Sequence, residues 1–146
     1  LVGPKTFEAL TNRLVRTDTF GPGAHPHIEA AQKAEVGCVA PATANLLAKA
    51  ACGLADDLLS TVLLSFAGPM ILAPAMNVEM WRKPPVQRNV AQLVADGFTI
   101  VGPEEGYLSC GTIGAGRMAS PETIFDAIAG ALEKVSGPPN ADGGGP

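Results

Sequence analysis

The chain has 146 residues, a net charge of −4, 47% hydrophobic residues and only 16% charged ones, which bounds it to one domain of ordinary size. It carries no basic run, which excludes nucleic-acid recognition through phosphate contacts. Its longest apolar stretch, Thr61–Met76, is cut by Gly68-Pro69 and Pro74, which excludes a membrane-spanning helix.

In chain order, Pro4 opens a helix on which Phe7, Leu10 and Leu14 recur at helical spacing. Val15–Thr17 reads as a short strand and Phe20–Pro26 as a loop. His27–Ala34 reads as a helix with Ile28 and Ala31 turned inward. Val36–Ala40 is a strand, and Pro41–Asn45 is a turn of small and polar residues that opens the helix Leu46–Cys52, closed by Gly53. Asp56-Asp57 starts a helix whose expected buried face is Leu58, Leu59, Val62, Leu63 and Phe66. Gly68-Pro69 stops it.

The apolar run from Met70 reads as a buried strand that ends at Pro74, since proline cannot donate to a ladder. Pro84-Pro85 opens a helix carrying Val86, Val90, Leu93 and Val94, closed by Gly97. Phe98–Val101 is a strand, and Gly102–Ser120 reads as a long glycine-rich loop. Ser120-Pro121 starts the last helix, lined by Ile124, Ile128, Leu132 and Val135. Residues 136–146 have linker composition, as a tail or a tether to a second domain. Short continuous apolar strands alternating with helices predict an α/β domain with a parallel sheet covered on both faces.

The low charged share lies below the usual quarter. On so short a chain it predicts surface buried against other subunits. The three cysteines, Cys38, Cys52 and Cys110, form no C-x-x-C pair. That excludes a disulfide framework, argues against zinc, and suits a reducing cytoplasm. No secretory signal pattern stands at the start. Cys38, in an apolar strand, and Cys52, in an alanine-rich helix, are expected to be small buried residues.

Four segments carry the chemistry. The turn A-P-A-M-N-V-E-M-W (Ala73–Trp81) follows a strand, and in open parallel sheets ligands bind outside the carboxyl ends of the strands. Asn77 there either presents its amide to a ligand, with methionines and Trp81 as an apolar lid, or caps the next helix. P-A-T-A-N (Pro41–Asn45) lets a flat ligand or phosphate approach a helix N-terminus, or it is an ordinary capped turn. His27, at the head of its helix, is either a cap or a base near neutral pH. The segment G-Y-L-S-C-G-T-I-G-A-G-R-M (Gly106–Met118) reads as a flap closing over a ligand. At its centre Cys110 is either a proton donor or a surface thiol.

In that order H-I-E (His27–Glu29), P-A-T-A-N, P-A-M-N-V-E-M-W and S-C-G-T-I-G-A-G-R-M closely resemble the motifs of the flavin-dependent cysteine decarboxylases. D-D-L-L-S-T at Asp56–Thr61 does so too, and the resemblance covers nearly all of residues 1–135, with 136–146 left as linker. Within the family it is nearest to the branch that decarboxylates 4′-phosphopantothenoylcysteine in coenzyme A biosynthesis, a cytoplasmic pathway.

The resemblance implies a Rossmann-like, flavodoxin-like sheet and FMN as cofactor. It also implies assembly as a homotrimer with the flavin between subunits, and a ligase domain fused downstream as a possible arrangement. By the matched motifs Thr43, Ala44, Asn45, Leu46 and Ala75 would line the flavin, and His27 would be the catalytic histidine. Asn77 would hold the substrate carboxylate, Met80 would belong to the substrate clamp, and Cys110 would be the proton donor.

The implied reaction oxidises the cysteine thiol carbon to a thioaldehyde and loses carbon dioxide to give an enethiol, which is then reduced. Two other readings stay open: a peptidyl-cysteine oxidative decarboxylase of modified-peptide biosynthesis, which needs no reducing proton donor, and a non-catalytic flavin-binding regulatory relative. Family members begin with a strand and a Gly-Ser phosphate loop that no segment here matches. An N-terminal portion of roughly 50 residues, two elements at usual lengths, is therefore expected to be missing. Glu35 stands where the family often has Asp.

Overall fold

The run Met70–Pro74 (β2) is buried along its whole length because it is the middle strand of a parallel sheet. This computed structural model describes residues 2–17, 31–107 and 113–137. On one side of β2 lies β1 (Gly37–Ala42), in the register Gly37 to Met70 through Val39 to Leu72, with an irregularity before Ala42 pairs with Pro74. On the other side lies β3 (Thr99–Ile100). Three parallel strands demand crossovers, and helices supply them.

The chain begins with α1 (Pro4–Thr11), entered through a proline in its first turn and left through Asn12 at φ 52°. Residues 31–33 are helical and lead to β1. Between β1 and β2 come α2 (Ala44–Cys52) and α3 (Leu58–Ser65). After β2 come α4 (Val78–Arg82) and α5 (Pro84–Ala95), then β3. A two-stranded antiparallel ribbon, β4 (Glu104–Tyr107) and β5 (Ile113–Arg117), precedes the last helix, α6 (Pro121–Ser136).

The core lies on both faces of β2. One face gathers Leu47 from α2, Leu63 from α3, Leu72 and Leu93 from α5. The other gathers Ile71, Ala73, Val101, Ala119 and Ile124 of α6. Each fully buried leucine or isoleucine contributes about 1.5–3 kcal/mol relative to exposure. Helices thus cover both faces, the α/β architecture that the sequence pattern predicts. Among the described residues no helix is long and apolar enough to cross a membrane.

Several local expectations are corrected. Val15–Thr17 is not a strand: the Val15 N–H donates to the Glu8 carboxylate at 3.0 Å and so enters no ladder. The turn expected over Pro41–Asn45 shrinks to Thr43, since β1 runs through Ala42 and α2 starts at Ala44. The inner face of α3 contains Ser60 and Leu63, while Leu59 is 43% exposed. A capping box explains the shift: Asp57 accepts from the Ser60 N–H and Ser60 Oγ accepts from the Asp57 N–H, which draws the serine inward.

Cys38 and Cys52 are exposed, not buried. Cys38 lies on the outer face of β1, whose burial alternates, and Cys52 is the last residue of α2. Neighbouring groups still desolvate the Cys38 thiol enough to raise its pKa, so it is no activated thiolate. Val94 and Val135 are likewise exposed. The glycine-rich loop over Gly102–Ser120 contains paired strands at both ends, with residues 108–112 outside the described residues.

Candidate active site

The carboxyl ends of β1 and β2 lie side by side, so the two turns that leave them are neighbours. The Ala75 N–H donates to the Ala42 carbonyl at 3.1 Å, and the next amide, Met76 N–H, donates to the Gly116 carbonyl of β5 at 2.9 Å. The fold therefore brings together P-A-T-A-N, P-A-M-N and the G-A-G end of the flap segment, three stretches far apart in sequence.

Each turn sets its residues by capping. Thr43 is the N-cap of α2, its Oγ1 accepting from the Leu46 N–H at 3.2 Å. Asn77 is the N-cap of α4, its Oδ1 accepting from the Glu79 N–H at 2.7 Å. Such caps contribute about 1 kcal/mol and fix where the side chain stands. Asn77 and Met80 are exposed and Trp81 is half-buried. Met76 packs against the core, so Met80 and Trp81, not both methionines, are available beside Asn77.

Beyond β1 opens a cavity of about 620 Å³. Pro41, Thr43, Asn45 and Leu46 line it from the β1–α2 turn, and Leu58, Leu59 and Val62 from α3. Lys49 and Asp57 complete the wall between the two helices, and Arg16 and Thr17 reach it from the N-terminal segment. Leucine and valine side chains offer a surface for flat rings, while Thr43, Asn45 and the start of α2 offer hydrogen-bonding groups for a polar edge. Ala44, Ala75, Asn77 and Met80 are not among its lining residues, so the predicted site divides between this cavity and the adjoining Asn77 turn.

Lys49 was not singled out from the sequence, although it stands four residues after Asn45 and so shares its helix face. Its Nζ lies 2.7 Å from both Asp56 Oδ1 and Asp57 Oδ2. The Lys49 ammonium, with two hydrogen bonds from Ser60, holds the Asp57 carboxyl down to about 2. The two carboxylates raise the Lys49 pKa in turn. His27 and Cys110 lie outside the described residues. No group of three or more His, Cys, Asp or Glu suited to a metal stands among the described residues.

The family model described as Flavoprotein matches residues 2–133. The chain belongs to the flavoprotein family. This flavoprotein is 49% identical over 126 residues to the coenzyme A biosynthesis bifunctional protein CoaBC of Bacillus subtilis (strain 168), a match that covers 84% of the chain and 31% of that protein. The chain thus spans about a third of the length of the curated relatives it matches.

Among solved structures it resembles the FMN-dependent cysteine decarboxylase SpaF, with TM-score 0.79 and 41% identity over 92% of the flavoprotein and 73% of SpaF. It also resembles a cysteine-to-serine mutant of PPC decarboxylase complexed with pantothenoylaminoethenethiol. There the TM-score is 0.76 with 33% identity, over 82% of the flavoprotein and 71% of that chain.

Proposed function

We propose that the chain is an FMN-dependent carboxy-lyase that converts 4′-phosphopantothenoylcysteine to 4′-phosphopantetheine in cytoplasmic coenzyme A biosynthesis. The observation that carries the reading is the adjacency of the two turns through Ala75 and Ala42, next to a cavity whose apolar walls and polar rim fit a flavin. The likeness to CoaBC and to PPC decarboxylase supports the choice of substrate.

Thr43, Ala44, Asn45, Leu46 and Ala75 would hold the FMN, with Thr43, Asn45 and Leu46 in the cavity wall, Ala44 at the start of α2 and Ala75 in the turn beside it. When bound, the FMN would supply the two-electron redox chemistry that turns the thiol-bearing carbon into a thioaldehyde and later reduces the enethiol. Asn77 orients the substrate carboxylate through its amide, and Met80 packs against the substrate. The carboxylate leaves as carbon dioxide because the adjacent thioaldehyde accepts its electron pair, giving an enethiol. His27 moves a proton at the substrate thiol. Cys110 delivers the proton that completes the saturated product. The enethiol-type ligand in the PPC decarboxylase mutant supports an intermediate of that kind.

The assembly in this reading is a homotrimer or higher homo-oligomer. The exposed apolar residues Phe7, Leu10 and Leu14, at 52%, 78% and 85% exposure, support a covering surface at α1 and the segment after it.

The test is to load the purified chain with FMN, add 4′-phosphopantothenoylcysteine, and follow product mass. Loss of carbon dioxide alone, with a saturated product, is the expected result. A yellow protein inert on this substrate overturns it. The likeness to SpaF favours one second reading, oxidative decarboxylation of a C-terminal peptide cysteine. That reaction loses carbon dioxide and two hydrogens and leaves the enethiol.

A further inference from the structure

The residues on either side of Asn77 are both held by one strand. Met76 donates its N–H to the Gly116 carbonyl of β5 at 2.9 Å. Val78, the first residue of α4, is buried, and β5 presses on it at Gly114. A Cβ added at Gly114 would stand 2.8 Å from Val78 Cγ2 and 3.3 Å from its Cβ. A Cβ at Gly116 would collide with the Met76 carbonyl oxygen, and φ 149° there already favours glycine.

From its other side Asn77 is fixed by its own cap to Glu79. The turn is therefore a wedge between α4 and a strand that must lack side chains at Gly114 and Gly116 to come so close. The G-A-G stretch looks in sequence like a supply of flexibility, yet in the fold it makes a close fit.

We infer that Gly114 and Gly116 are positioning residues for Asn77, setting its preference for a substrate that bears a carboxylate. The inference rests on the reading of Asn77 as the carboxylate contact. Displacing Val78 tilts the start of α4, and with it the Asn77 side chain that caps this helix. On that reading the amide serves the carboxylate and not the phosphate or pantoyl parts, so the effect should fall on carboxylate recognition.

Gly114→Ala is the informative variant, because its new methyl meets a side chain that can yield, where Gly116→Ala meets backbone. The FMN-loaded full chain is titrated with two probes. One is 4′-phosphopantothenoylserine, which keeps the carboxylate and lacks the reacting thiol. The other is 4′-phosphopantetheine, which lacks the carboxylate. Gly114→Ala is expected to cut the preference for the first probe about tenfold, the size of one charge-assisted hydrogen bond. The double variant Gly114→Ala/Val78→Ala is expected to restore it by removing the clashing methyls.

Gly130→Ala, whose Cβ would meet nothing within 4 Å, should change nothing. The Asn77 side-chain amide resonance should shift in Gly114→Ala and return in the double variant. An unmoved resonance, or equal weakening for both probes, overturns the inference. If the resonance moves and returns as expected but Asn77→Ala keeps the full preference, the positioning stands and the carboxylate reading of Asn77 is what fails.

Discussion

Lys49 of α2 reaches across to Asp57, the N-cap of α3, with Nζ 2.7 Å from Oδ2, and takes Asp56 at the same distance. One ammonium thus ties together the two helices that wall the cavity, at the point where the chain turns between them. The aspartates are about half exposed, so solvent screens the pair. Its importance is the geometry it imposes on Leu58, Leu59 and Val62.

The acid limb of stability follows from this pair. The Asp57 carboxyl titrates at about 2 in the folded chain, below its ordinary 3.8. Its stabilisation is present above the unfolded value and is lost as pH falls toward the folded one. Lys49, whose pKa is raised, contributes below its ordinary value and loses its contribution as pH rises past the folded one. Lys49→Met should flatten the stability loss between about pH 4 and pH 2 in urea denaturation and weaken flavin binding. Asp57→Ala should cost about 1 kcal/mol more than Asp57→Asn, because asparagine keeps the cap. Equal costs would show that the capping box contributes nothing.

Asn77→Asp separates the structural and binding duties of one side chain. Aspartate caps a helix as well as asparagine does, so the melting temperature should stay near that of the parent. A carboxylate facing the substrate carboxylate should lower affinity by about tenfold or more. Calorimetric titration with the serine analogue checks this, and undiminished affinity would remove the assigned contact.

Cys110→Ser should release carbon dioxide and stall at the enethiol, since a serine hydroxyl is a far weaker acid than a thiol. Product mass two hydrogens short of 4′-phosphopantetheine is the expected reading. Complete turnover by that variant would take the proton-donor role from Cys110.

Leu10→Glu tests the assembly. Leu10 is 78% exposed within the chain, so the change leaves the core of one subunit intact. In sedimentation velocity the variant should fall to a smaller species with an unchanged circular dichroism spectrum. A variant of unaltered size would place the subunit contacts elsewhere.

The sequence alone determined the alternation of strands and helices and the burial of Met70–Pro74, because apolar runs of strand length and capping residues are local signals. Asp57 and Ser120 cap helices where the pattern starts them, and Asn77 takes the capping role that is one of its two readings, whereas the cap at Thr43 lies inside the stretch read as a turn. It also carried the motifs that the family match later supported. Only the tertiary structure decided that Cys38 and Cys52 face outward, that Val15–Thr17 pairs with no strand among the described residues, and that Lys49 and Asp57 belong to the cavity wall. Gly114 and Gly116 of the flap segment are the clearest case. In sequence they signal freedom, but β5 packs against Met76 and Val78, and there the missing side chains permit contact. Burial, strand pairing and close backbone approach depend on which distant segment arrives alongside, and no local pattern of residues encodes that.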